Sequence, residues 1–265
     1  MLKDFPKVLK NELKNIYGTR INENKCAFCG EELNPKEFCF CPEAKKINPF
    51  YLRVIKKIND FNMWESDDEY RKDILKSRFK VSGVPIKYTG MLFEDYKEYE
   101  PADARVKNLI IGYFNDAIKN YLTGKCLILT GNPGTGKTML MSILTENLIR
   151  EYMFSARYAN CVELINEIQD TYSTNTPKST LSVLNKYRDA DFLFIDDLDK
   201  INSTPDARKL VYSIINDRYE RVLPTIISAN SSVDVLDESY FQEPTVSRLL
   251  ERSVEVSFTQ KNRRF

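Results

Sequence analysis

Gly131-Asn132-Pro133-Gly134-Thr135-Gly136-Lys137-Thr138 fits the phosphate-binding loop pattern G-x-x-x-x-G-K-[ST] at every fixed position. No other stretch constrains the fold so strongly, because the pattern functions in one setting only. The loop must leave a buried strand and open a helix, so that backbone N–H groups converge on phosphate oxygens. The flanks meet that demand. Cys126-Leu127-Ile128-Leu129-Thr130 reads as a short buried strand, and a helix is expected over 139–153 with Leu140, Ile143, Leu144 and Leu148 on one side. In such a loop Lys137 reaches the β- and γ-phosphates of a nucleotide, and the Thr138 hydroxyl ligates magnesium.

The rest of the carboxyl-terminal part alternates strands with helices. Strands are expected at 126–130, 155–159, 191–196, 225–229 and 254–258. That alternation implies a mostly parallel five-stranded sheet inside a three-layer α/β sandwich. A helix from Pro101 carries the apolar stripe Leu109, Ile110, Phe114, Ala117, Ile118 and Tyr121, and Thr123-Gly124 ends it. Another starts at Pro205, capped by Thr204, with Leu210, Val211, Ile214 and Ile215 facing inward. The Ser-, Thr-, Asn- and Pro-rich stretch from Thr171 to Thr180 reads as an exposed loop.

Phe192-Leu193-Phe194-Ile195-Asp196-Asp197 is an apolar strand ending in two acids. Ligands of parallel α/β sheets sit at the carboxyl ends of the strands. Asp196 is thus a candidate magnesium ligand, and Asp197 a candidate to orient or deprotonate the attacking water. A solvated acidic turn is the plainer alternative. The strand Thr225-Ile226-Ile227-Ser228-Ala229 ends in Asn230, which could fix that water or sense the γ-phosphate. Ser247-Arg248-Leu249 follows a loop. Arg248 could stabilise transition-state charge in a neighbouring subunit, or form an ordinary surface salt bridge.

The first eighty residues read as a separate domain, with the boundary at Val81-Ser82-Gly83-Val84-Pro85 and a nucleotide-binding domain over 81–265. Cys26, Cys29, Cys39 and Cys41 fall within sixteen residues. The C-x-x-C half suits tetrahedral zinc, C-x-C could supply the second pair, and four thiolates leave a structural site with no open position. Free buried thiols or a redox pair are the alternatives. Tyr51, Val54, Ile55 and Ile58 recur at helical spacing after the cluster. Cys126 and Cys161 read as core residues.

The chain has no histidine and a net charge of +1, so a metal site must use Cys or carboxylates, and no global basic character advertises nucleic acid. No run approaches the roughly 18 apolar residues of a membrane span, and the start lacks a signal-peptide core. A cytoplasmic protein is expected.

The order of phosphate loop, Asp-Asp strand, strand ending in Asn, then Ser-Arg-Leu resembles an AAA+ ATPase. Within that superfamily the chain resembles the DnaC/DnaI helicase loaders and their relative IstB. The carrying segments are Gly83-Val84-Pro85, Thr89-Gly90-Met91-Leu92-Phe93, residues 131–138, Phe194-Ile195-Asp196-Asp197-Leu198, Pro224 to Asn230 and Ser247-Arg248-Leu249. The resemblance covers about residues 80–265. It implies ATP and Mg2+ as cofactors, with Lys137 on the phosphates, Asp196 on the metal, Asp197 on the water, Asn230 as sensor and Arg248 as trans-acting finger. It places Phe93 and Tyr96 near the adenine. The family often closes on a Gly-x-x-x-Arg-like stretch, whereas Gln260-Lys261-Asn262-Arg263-Arg264 lacks the glycine, so either Arg263 or Arg264 is the candidate there. The resemblance further implies a zinc-bearing amino-terminal domain docked on a hexameric replicative helicase, single-stranded DNA as second ligand, and a homo-oligomer in the ATP state. Tyr172, Lys178, Lys186 and Tyr187 are offered as stacking and phosphate contacts, against an ordinary solvated face. A transposition helper ATPase of the IstB kind, binding duplex DNA and a transposase, is the alternative function.

Overall fold

The computed structural model describes residues 57, 60, 63, 66–172, 179–200, 205–232, 248 and 250–262. The four clustered cysteines, the Tyr51–Ile58 helix positions, Lys178, Thr204, Arg263 and Arg264 lie outside the described residues. The chain divides into two compact units, Met1–Asp73 and Ile74–Phe265. Helix α1 spans Asp68–Val81. Its start is secured by Asp67, whose carboxylate accepts the N–H groups of Glu69 (3.0 Å) and Tyr70 (2.9 Å).

The second unit is built on five strands: β1 Cys126–Gly131, β2 Ala156–Asn160, β3 Phe192–Asp196, β4 Thr225–Ala229 and β5 Ser253–Phe258. Their order across the sheet is β2-β3-β4-β1-β5, and every neighbouring pair is parallel. Each strand starts within a residue of its expected position. The signal was composition: β3 and β4 are buried at every residue, as strands covered on both faces must be.

The helices are α2 Pro101–Asn115, α3 Ala117–Thr123, α4 Lys137–Tyr152, α5 Cys161–Asp170, α6 Thr180–Arg188 and α7 Pro205–Glu220. One face of the sheet packs Ile128, Leu193, Ile195 and Ile227 against Leu164 and Ile168 of α5, Val183 of α6, and Val211, Ile214 and Ile215 of α7. The other carries α4, with α2 packed on it. There a run of rings, Phe93–Phe114–Tyr152–Phe154–Phe192, holds the layer together at centroid spacings of 4.9 to 5.9 Å. Cys126 and Cys161 are buried and free. Among the described residues no helix is long and apolar enough to cross a membrane.

The helix expected from Pro101 is two helices. Asp116 interrupts it, and the Asn120 side-chain amide donates to the Tyr113 carbonyl (2.8 Å) facing the break. The break turns the stripe, leaving Leu109 43% exposed while Ile110, Ala117 and Tyr121 are buried. Ahead of α2, the lead-in follows strand β2: the Tyr158 N–H donates to the Ser82 carbonyl (2.6 Å). Gly83, at φ +76°, passes so close that a Cβ would lie 2.2 Å from the Tyr158 carbonyl oxygen.

Candidate nucleotide site

Strand β1 delivers the chain to the loop at Gly131, and the loop turns into α4 through Gly136 at φ +99°. A Cβ at Gly136 would meet the Tyr96 ring at 2.9 Å, so both the left-handed backbone and the ring beneath it require glycine. The Thr135 hydroxyl donates to the Asn132 carbonyl (2.8 Å) and closes the loop internally. Lys137 Nζ donates to the carbonyls of Gly131 and Asn132 and to Asn230 Oδ1 (3.2 Å). Burial pulls its pKa down, and the carboxylates of Asp197, Asp196 and Asp199 oppose that pull. A phosphate oxygen is a stronger, charge-assisted acceptor than the carbonyls this ammonium now meets.

Asp196 is almost fully buried, and three hydroxyls satisfy it. Thr138 Oγ1 donates to Oδ2 at 2.7 Å, the Tyr158 hydroxyl donates to the same oxygen, and Ser228 Oγ donates to Oδ1. Ser228 Oγ in turn accepts the Asp197 N–H (2.9 Å), so strand β4 fixes both acids at once. Burial and the neighbouring Asp196 charge push the Tyr158 phenol far up, so it is a proton donor at every accessible pH. Thr138 and Asp196 offer hydroxyl and carboxylate oxygens side by side at the mouth of the phosphate loop. That donor set fits Mg2+, which takes oxygen ligands and keeps waters. When bound, the ion would neutralise charge on the β- and γ-phosphate oxygens.

Asp197 sits in a left-handed turn at φ +56°, a conformation uncommon for a non-glycine residue. Its carboxylate meets Lys200 Nζ at 2.5 Å. Asp199, in the same turn, accepts the Asn230 backbone N–H (3.1 Å) and its Nδ2 (3.4 Å). The donor end of the Asn230 amide is thereby held, and its oxygen faces Lys137. These groups border a cavity of about 300 Å³, whose other wall is formed by Lys87, Tyr88 and Met91.

The structure thus brings Lys137, Thr138, Asp196, Asp197 and Asn230 into one site. It places Arg248 elsewhere, in a small cleft with Gly124, Cys126 and Thr225. These residues mark the opposite ends of β1 and β4, about 16–20 Å from the phosphate loop at ~3.3 Å per strand residue. The Arg248 guanidinium lies 5.5 Å over the Tyr219 ring and 3.7 Å from Glu220. Phe93 packs in the core on Phe114, and Tyr96 supports the loop by donating to the Thr135 carbonyl (3.4 Å). Lys87, Tyr88 and Met91, which the sequence did not single out, line the cavity. Tyr187 is no stacking platform: it is buried, with its hydroxyl on Glu167, and Lys186 pairs with that carboxylate at 2.6 Å. Tyr172 remains 61% exposed. Sequence reasoning missed Tyr158, Ser228, Asp199 and Lys200. Only the last two carried a local signal, lying in the turn directly after the Asp-Asp pair.

The profile of the family described as IstB-like ATP binding protein matches residues 79–259. The chain belongs to this family. It is an ATP-binding ATPase with the AAA+ fold. Among curated proteins it is similar to the phage-like element PBSX protein XkdC of Bacillus subtilis (strain 168), 30% identical over 149 residues, 54% of this chain and 49% of that protein. The chain thus matches about half the length of that relative. Among solved structures it is similar to the DnaC helicase loader (TM-score 0.57, 22% identity, 66% of this chain and 99% of that one). It is likewise similar to DnaI (TM-score 0.56, 20% identity, 71% and 99%). At such identities the likeness is one of fold.

Proposed function

We propose that this ATPase loads a hexameric replicative helicase onto single-stranded DNA. Residues 1–80 form a zinc-bearing docking domain in this reading, held by Cys26, Cys29, Cys39 and Cys41. The observation that carries it is the separation of Arg248 from its own ATP site. Among the described residues no arginine lines the cavity that holds the metal-holding, water-orienting and sensing groups, and an arginine at the far ends of the strands is placed to reach a neighbour's site. Hydrolysis then requires an oligomer, as expected of a loader that assembles with ATP and leaves after hydrolysis. The family match and the fold likeness to a helicase loader over 66% of this chain support the same reading.

Within the site, Lys137 and the loop N–H groups hold the triphosphate, Thr138 and Asp196 hold Mg2+, and Asp197 accepts a proton from or orients the attacking water. Asn230 senses the γ-phosphate. The test is turnover by mixed subunits. Lys137→Ala subunits keep Arg248 but lack a working site, while Arg248→Ala subunits keep the site but lack the finger. Each alone should be inactive, and their mixture should recover turnover that single-stranded DNA stimulates. Arg248→Ala protein with parental turnover, or a mixture without recovery, would refute the arrangement.

A further inference from the structure

Lys200 lies in the turn after β3, the 3-10 segment Leu198–Lys200, and lines the same cavity as the phosphate loop. Its partner at 2.5 Å is Asp197, the carboxylate best placed to handle the attacking water. The Lys200 side chain is 57% exposed, whereas Lys137 is buried and its ammonium is bound to three acceptors. The cavity therefore carries two lysines with different freedom. They are close enough for Lys200 to disfavour the charge on Lys137. Lys137 and Thr138 define where the β- and γ-phosphates lie, and Asn230 marks the γ end. Asp197, Lys200 and Asn230 line the same cavity as Lys137 and Thr138, and none of the three belongs to the phosphate loop.

We propose that Lys200 is a γ-phosphate contact that distinguishes ATP from ADP by exchanging its Asp197 partner for the terminal phosphate. The γ-phosphate brings about two negative charges against the single charge of Asp197, so the exchange is electrostatically downhill. It also uncovers the Asp197 carboxylate toward the attacking water only when ATP is present. The same lysine therefore reads the nucleotide and releases the group that acts on it. Asp199 keeps the neighbouring Asn230 in place during the exchange through its backbone N–H (3.1 Å).

The proposal rests on the ATP reading of this cavity, and calorimetric titration separates the two. The parent protein is titrated with ADP and with the β,γ-methylene analogue of ATP, both with Mg2+, and the titrations are repeated on Lys200→Ala and Lys200→Arg. Failure of the parent to bind either nucleotide would remove the ATP reading itself. The expected result is that Lys200→Ala binds the ATP analogue on the order of tenfold more weakly, the loss of one charge-assisted contact, with ADP affinity unchanged. Lys200→Arg should restore most of the difference. Unchanged ADP affinity also shows that the variant is folded. Equal loss for both nucleotides, or no loss for either, overturns the assignment.

Discussion

Replacing Tyr158 by Phe removes one oxygen and leaves the ring in place, so its consequences trace to a single hydrogen bond. That hydroxyl donates to Asp196 Oδ2 inside the sheet, and Tyr158 is only 5% exposed. A hydrogen bond to a buried charged group contributes about 1.5–3 kcal/mol. Asp196 Oδ2 keeps Thr138 as a donor and Oδ1 keeps Ser228, so the low end applies, about 1.5–2 kcal/mol. In a unit of this size that lowers Tm by roughly 3–8 °C. Tyr187→Phe is the matched control. Its hydroxyl also meets a carboxylate, Glu167, but that side chain is 26% exposed and keeps Lys186, so the loss should stay below about 1 kcal/mol. The two variants should separate further in function. Tyr158→Phe loosens the acid expected to hold Mg2+, and loss of such a supporting partner lowers metal affinity or turnover by roughly tenfold. Thermal melts and ATP turnover against magnesium concentration read both effects. The reasoning is refuted if Tyr158→Phe melts and titrates with magnesium like the parent, or if Tyr187→Phe shifts the magnesium dependence equally.

Arg218 is fully buried and donates to Thr225 Oγ1 and to the carbonyls of Tyr187, Arg188, Ala190 and Pro224, tying α7 to the starts of β3 and β4. Arg218→Met should cost about 3–5 kcal/mol in urea unfolding, because it strands buried acceptors rather than merely losing a cation. Alkaline stability should fall. Burial pushes the Cys161 thiol up from 9.0 to about 12, so between those values the unfolded chain releases a proton that the fold retains. The folded state then binds more protons, and stability that is complete below pH 9 is lost as pH rises toward 12. Cys161→Ala should reduce that decline in pH-dependent denaturation curves, with Cys126 and the tyrosines Tyr113, Tyr152, Tyr158 and Tyr187, all pushed up mainly by burial, contributing to what remains. Metal analysis of the purified protein should find one zinc per chain, lost in the Cys26→Ser, Cys29→Ser double variant. A zinc-free, folded parent would exclude the metal.

Features set by neighbours along the chain were legible before the structure. The phosphate loop announces itself through glycine spacing, strands β1, β3 and β4 through short apolar runs, and the end of α3 through Gly124 in a left-handed cap. Features set by register across the sheet were not. Tyr158 and Ser228 lie 38 and 32 residues from Asp196, and only the adjacency of β2, β3 and β4 brings their hydroxyls to it. The lining of the cavity was not legible either. Phe93 and Tyr96 are buried, one in the core and one beneath the loop, while Lys87, Tyr88 and Met91 line the cavity. Arg218 gave no warning at all: a lone arginine in an amphipathic helix ordinarily faces water.

The helicase-loading reading is tested most directly by capturing the tagged protein from its own host's lysate with ATP present and identifying what comes with it by mass spectrometry. The account predicts a hexameric replicative helicase, recovered with the parent and lost when residues 1–80 are deleted. Recovery of a transposase in its place, or of no helicase under conditions where the protein binds ATP, would contradict it.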